Sequence, residues 1–431
     1  MQTTSVIDLG DLLSEEIDWR YKGFPPTAGT VTLGTVGDQG WNALGGDLTL
    51  PLLLLKEPAL DHNIRTMARY CRDHGVSLAP HGKTPIAPQI VQRQMEAGAW
   101  GITAATLHQA RIFRVFGVPR ILIANEVLEP QALTWMAREM DADPEAEIIC
   151  LVDSLEGVRL MEAALERVQL RRPLPVLIEW GAWGARAGVR TVEAARAIAR
   201  RLRGSSSLRL AGVEGYEGSI AAARFEERLQ AVDRYLGEMR TVTESLYEDG
   251  AFDGLAEIIV SAGGSIFMDR VVDLLGGPWS CDVPVRVVLR CGTYVSHDAD
   301  EYERFSGLGD RGDGSYRLQA ALELWGVVLS RPEDGLAVVG FGKRDASYDI
   351  HLPIPFTARR GASARSVAGK AKVTRLNDQH AYVRLDPDVD LAVGDLLGCQ
   401  ISHGCTAFDK WRLLPLVDNE YRVTGAIRTF F

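Results

Sequence analysis

Eight short apolar runs, each bounded by Gly, Pro or polar residues, alternate with helical patterns between residues 76 and 290. They lie near 76–79, 100–104, 120–124, 147–152, 175–179, 209–214, 257–261 and 285–290. Between them the apolar residues recur at helical spacing. The clearest stripe is Phe225, Leu229, Val232, Leu236, Met239, Val242 and Leu246. Strand then helix, repeated eight times, fits a (β/α)8 TIM-type barrel; an open doubly wound sheet is the competing arrangement. After about residue 295 the texture changes. A polar, Gly-rich loop (298–316) leads into short β-like runs at 320–329, 337–340, 372–375, 380–385 and 420–427, with no long amphipathic helix. The expected organisation is an N-terminal extension over 1–50, a barrel over 51–295 and a mostly antiparallel β domain over 296–431. Within the extension, 8–19 reads as a short helix and 23–46 as loop; 50–55 is a further strand candidate.

The 431 residues can bury a large core, and 46% hydrophobic with 24% charged residues is ordinary for a globular enzyme. A net charge of −10 argues against a nucleic-acid or anionic-membrane partner. The six cysteines are scattered, with no CxxC. The first residues show no basic, apolar leader, and no stretch approaches the ~18 apolar residues of a membrane span. A cytoplasmic protein with reduced thiols is therefore expected.

In a barrel, chemistry collects where strands end at their carboxyl side. The first apolar run stops at Pro80, and Pro80-His81-Gly82-Lys83-Thr84 follows. A lysine there can lose solvation and basicity and act as a nucleophile toward a carbonyl. His81 either touches a ligand beside Lys83 or only closes the turn. After the seventh run, Ser261-Ala262-Gly263-Gly264-Ser265 enters a helical pattern. Gly263, Gly264 and Ser265 read as a phosphate cradle, or as an ordinary tight turn. A lysine nucleophile and a phosphate cup on one barrel mouth suggest pyridoxal phosphate.

Late in the chain stands Ile401-Ser402-His403-Gly404-Cys405-Thr406-Ala407-Phe408-Asp409-Lys410-Trp411. His403 and Cys405, two apart, would share one face of an extended strand and bind a soft-to-borderline divalent metal such as zinc. Two protein ligands leave positions for water or substrate, the catalytic pattern. The alternative is a buried cysteine beside a hydrogen-bonded histidine.

With both constellations in hand, the chain resembles the D-serine dehydratase / D-threonine aldolase family of fold-type III pyridoxal-phosphate enzymes, related in architecture to alanine racemase. The resemblance runs from about Leu50 to the C-terminus. It is carried by Pro80-His81-Gly82-Lys83-Thr84, by Glu179 with Arg186-Ala187-Gly188-Val189, by Gly263-Gly264-Ser265, by Gly292-Thr293-Tyr294, and by His403 to Trp411. It implies that Lys83 holds the cofactor covalently and that Arg186 and Tyr216 line its ring. It also implies that Gly263, Gly264 and Ser265, with Tyr294, bind its phosphate, and that His403 and Cys405 bind zinc. The chain departs from the family pattern at Ala79, where members carry Arg, at Pro85-Ile86, where they carry His-Lys, and at Gly181, where they carry Asp. These positions surround the substrate. The long N-terminal extension resembles the bacterial amino acid deaminase branch.

The resemblance implies a lyase: a D-serine dehydratase (ammonia-lyase) yielding keto acid and ammonia, assembled as a homodimer. The aldolases of the family tend to carry an acidic residue where this chain has Cys405, which favours dehydration. The alternatives are a D-threonine aldolase, a racemase using Tyr294 or Tyr216 as second acid/base, and a non-catalytic pyridoxal-phosphate carrier.

Overall fold

The computed structural model describes residues 7–264 and 266–431 and divides into two units. The first comprises residues 68–83 and 94–292, with Ile7; the second comprises 8–67, 84–93 and 293–431.

The first unit is the barrel. Its strands are β1 (Ser77–Leu78), β2 (Ile102–Ala104), β3 (Arg120–Glu126), β4 (Glu147–Val152), β5 (Leu174–Trp180), β6 (Leu208–Gly215), β7 (Ile258–Ala262) and β8 (Val285–Leu289). All eight coincide with the apolar runs. They pair in parallel in the order β1-β8-β7-β6-β5-β4-β3-β2. Beyond the short β1, Trp100 N donates to Leu78 O (2.7 Å), Thr103 N to Pro80 O (3.0 Å) and Gly82 N to Thr103 O (2.8 Å), which closes the ring and excludes the open sheet. Every residue of β5, Leu-Pro-Val-Leu-Ile-Glu-Trp, is buried, as a strand covered on both faces requires. Leu122, Ile149, Leu151, Leu177, Ile259 and Val288 fill the interior. The helices after β2, β4 and β5 start on Thr106, Ser154 and Thr191, whose side chains accept from backbone N–H groups three residues on.

The second unit is mostly antiparallel β. The long strand Leu322–Glu333 pairs with Leu396–Gln400, Leu336–Val339 and Leu52–Lys56. Leu52–Lys56 is the strand candidate at 50–55; it joins this sheet rather than the barrel, and also pairs in parallel with Leu413–Val417. The expected boundary at residue 51 therefore does not follow the pairing. The segment read as a helix over 8–19 is helical only over Gly10–Leu13. Among the described residues, no helix is long and apolar enough to cross a membrane.

Candidate functional site

The carboxyl ends of the barrel strands carry an unusual density of buried charge. Glu126 ends β3, Glu179 lies near the end of β5, and Glu214 lies near the end of β6. Arg290 follows β8 at 4% exposure, ion-paired with Glu214 and donating Nη2 to Gly215 O at 2.8 Å. Burial pushes the Glu126 carboxyl up to about 8, and a hydrogen bond to Glu179 and that residue's charge add to the rise. Burial raises Glu179 as well, reinforced by the Glu214 charge. Burial likewise raises Glu214, opposed by Arg290. The ordinary cost of burying a carboxylate is met here by retained protons and by arginine.

Lys83 is exposed in the turn that follows β1. His81, two residues earlier, has its imidazole held well below its usual range, first by burial and then by the positive charges of Lys83 and Arg290. Its Nδ1 is buried without a hydrogen-bond partner, as are Arg290 Nε and Glu214 Oε2, the oxygen outside the ion pair. Orphaned polar atoms of this kind fit a polar ligand at the strand ends.

Arg186 reaches Glu179 at 3.6 Å, and its guanidinium carbon lies 4.8 Å from the Tyr216 ring centroid. Its loop is fixed from both sides. Val189 N donates to Glu179 O at 2.7 Å, and Gly188 N donates to Asp153 at 3.2 Å. Gly188 sits at φ +101°, where a Cβ would approach Gly181 N to 2.6 Å, so glycine is demanded there.

Gly263 and Gly264 direct their backbone N–H groups at one carboxyl, and that carboxyl belongs to the chain itself. Glu217, fully buried, accepts from Gly263 N at 3.1 Å and from Gly264 N at 2.6 Å. A Cβ on Gly264 would come within 2.5 Å of the Tyr216 ring. The N–H pair is thus shaped for two oxygens of one anion, which fits a phosphate, but a phosphate must take the place of Glu217. Ser265 lies outside the described residues. Sequence reasoning stopped at Tyr216 and missed Glu217 beside it; a charged residue just past a strand whose last residues are buried was the available signal, as it was for Arg290.

In the second unit, Tyr294 is 1% exposed in the short turn Thr293–Val295. His403 and Cys405 do not lie on a strand. The strand ends at Gln400, and Cys405 opens the short helix Cys405–Phe408. Their side chains nevertheless meet in a hydrogen bond. Ala407, Phe408 and Trp411 are buried and Trp411 Nε1 donates to Asp345 O at 2.9 Å, so the apolar part of the motif anchors the turn. Cys405 Sγ also lies 3.2 Å from Thr84 Oγ1 and 3.7 Å from Thr293 Oγ1. Burial alone would raise this thiol, but hydrogen bonds from His403 and Thr84 outweigh it and bring it below its usual value. The bond to Cys405, then the pairing with Asp349, lift His403 to about 9. Among the described residues no group of three or more His, Cys, Asp or Glu converges as a complete metal cage. The imidazole–thiol pair fits two ligands of a borderline divalent ion, with the remaining positions left to other molecules.

Known proteins share this fold. Residues 55–266 match the family described as "Alanine racemase, N-terminal domain", and residues 321–417 match the serine dehydratase domain family. The chain is 30% identical over 278 residues to the D-threo-3-hydroxyaspartate dehydratase of Delftia sp. (strain HT23), covering 59% of this chain and 70% of that protein. It is 27% identical over 355 residues to the 3-hydroxy-D-aspartate aldolase of Paracoccus denitrificans (strain Pd 1222), covering 81% and 84%. The crystal structure of D-threonine aldolase from Filomicrobium marinum superposes with a TM-score of 0.72 at 25% identity, over 89% of this chain and 94% of that one. With an alanine-racemase-like barrel, an antiparallel β unit and these relatives, the chain belongs to the D-serine dehydratase / D-threonine aldolase family of fold-type III pyridoxal-phosphate enzymes.

Proposed function

We propose that this chain is a pyridoxal-phosphate-dependent lyase that removes water from a β-hydroxy D-amino acid, D-serine or a close analogue, to give a keto acid and ammonia, with a divalent metal, zinc by its donor set, assisting. One observation carries the reading: the side chains of His403 and Cys405 meet, presenting an imidazole and a thiol of lowered basicity as a two-ligand metal site. Pyridoxal phosphate, when bound, supplies an aldehyde for the substrate amine and a ring that accepts the electron pair left at Cα. A metal on the pair supplies Lewis acidity at the β-hydroxyl, a poor leaving group unaided.

The residues divide the remaining work. Lys83 holds the cofactor at rest and, once displaced, takes the α-proton at Nζ. Its setting supports this, because the neighbouring imidazole is kept neutral and does not compete as a charged donor. Arg186, stacked on Tyr216, limits one side of the pocket. Gly263 and Gly264 offer the phosphate two N–H groups once Glu217 withdraws. His403 Nε2 and Cys405 Sγ hold the metal. Thr84, the residue after Lys83 in the chain, has its hydroxyl 3.2 Å from the Cys405 sulfur and helps to lower the thiol below its usual value.

A second reading, retro-aldol cleavage to glycine and an aldehyde, is favoured by the names of the Paracoccus and Filomicrobium proteins. The product profile with D-serine, D-threonine and D-threo-3-hydroxyaspartate, after chelation and again after zinc is restored, separates the two. Keto acid and ammonia that vanish on chelation and return with zinc are expected. Glycine plus aldehyde would replace the first reading by the second, and full turnover without metal would remove the role given to His403 and Cys405.

A further inference from the structure

Asp349 lies 54 residues before His403, in a stretch that no motif in the sequence singles out, yet its carboxylate sits against the His403 ring. Its Oδ2 is 2.7 Å from His403 Nδ1, and its Oδ1 accepts from the Thr406 hydroxyl at 2.7 Å. Thr406 Oγ1 is itself 3.2 Å from the same ring nitrogen. The three side chains form a closed triangle in which each fixes the other two. An ionised carboxylate only accepts hydrogen bonds, so Nδ1 carries a hydrogen, and Nε2 is the nitrogen left to release its own proton to a cation. Asp349 is therefore not placed to be a third ligand; it is placed behind the first. A carboxylate on the far nitrogen of a ligating imidazole selects the tautomer, fixes the ring and increases its donor strength. Both side chains retain some solvent contact, 43% for Asp349 and 26% for His403.

We propose that Asp349 is the positioning residue of the metal pair: it holds His403 with Nδ1–H directed at its own carboxylate, leaving Nε2 to take a divalent cation beside Cys405 Sγ. The proposal rests on the reading of His403 and Cys405 as metal ligands. Thr406 completes it by tying the carboxylate to the helix that begins at Cys405, so one short turn carries a ligand and the clasp for its neighbour.

The test is the zinc affinity of the full chain, measured by competition with a chromophoric chelator, for wild type, D349N, D349A, D349E, H403A and C405A. D349N and D349A are expected to bind zinc about 10- to 100-fold more weakly, with D349E recovering part of the loss. Cobalt(II) in place of zinc adds a readout that a merely structural role would not give. Its thiolate charge-transfer band reports Cys405 directly and is expected to survive in D349A at saturating metal, whereas a collapsed turn would abolish it. Wild-type zinc affinity in D349N and D349A overturns the proposal and leaves the metal pair standing. A wild-type chain that takes up zinc no better than H403A or C405A removes the pair, and the proposal with it.

Discussion

Glu217 is the residue whose position most changes how the barrel mouth is understood. Two glycine N–H groups that sequence reasoning assigned to a phosphate are held by its carboxylate, at 3.1 and 2.6 Å. A carboxylate and a phosphate cannot share them, because like charges a few ångströms apart repel strongly away from bulk water. Loading the cradle therefore requires Glu217 to leave, and weakening its hold should favour loading. Glu217→Gln keeps the shape and exchanges charged hydrogen bonds for neutral ones, a difference of roughly 1 kcal/mol or more, or about tenfold in affinity. Absorbance titration of Glu217→Gln with pyridoxal phosphate is expected to show binding tighter by about that factor. Weaker binding would make Glu217 a permanent brace of the turn. At this scale the legible residues were those in contiguous motifs, such as Lys83 and the stretch from His403 to Trp411. Glu217 and Asp349 act through space on groups 46 and 54 residues away, and spacing along a chain carries no signal of that kind. The expectation that His403 and Cys405 share a strand face failed because pairing ends at Gln400; a helical turn brings them together instead.

The elements were more legible than their ends. All eight barrel strands were readable because strands buried on both faces are nearly continuous apolar runs. In the β unit, Ile354–Arg360, Ser363–Ser366, Leu396–Gln400 and Leu413–Val417 were missed. Leu396–Gln400 is interrupted by Gly398, and Ile354–Arg360 and Leu413–Val417 carry Pro355 and Pro415, all of which argue against a strand when read alone. What apolar runs do not announce is the acid at the end of a strand. Glu126 closes β3 and hydrogen-bonds Glu179 of β5, with burial pushing its carboxyl from 4.5 up to about 8. Below pH 4.5 the folded and unfolded chains both hold this proton. As pH rises toward 8 the unfolded chain releases it and the folded chain does not, so this group's contribution to stability declines across that window and is gone above it. Glu126→Gln donates to Glu179 as the protonated acid does, without titrating. Melting temperatures from pH 5 to 9 should therefore fall less steeply in Glu126→Gln than in wild type, leaving the variant the more stable of the two at pH 9. Superimposable profiles would show that Glu126 titrates near its ordinary value.

At the scale of the molecule, the chain does not finish one unit before starting the other. The β unit takes its strand Leu52–Lys56 from well before the barrel and pairs it with Leu322–Glu333 on one side and Leu413–Val417 on the other. Leu52, Leu53, Leu54 and Leu55 have no exposed surface at all. At roughly 1.5–3 kcal/mol for each buried leucine, these four contribute roughly 6–12 kcal/mol, as much as the roughly 5–15 kcal/mol by which a whole domain is stable. A fragment cut where the texture of the sequence changes, residues 296–431, keeps every strand read from its own composition but lacks this one. It would also expose two unpaired strand edges, at Leu322–Trp325 and at Leu416–Val417, to association with other chains. Expressed alone, 296–431 is expected to show no cooperative thermal transition and to aggregate. Within the full chain, Leu54→Ala should cost about 2–5 kcal/mol, read as a lowered denaturation midpoint. A fragment 296–431 that melted cooperatively as a soluble monomer would mean that the late strands close their sheet without Leu52–Lys56, and that the boundary suggested by composition is the physical one after all.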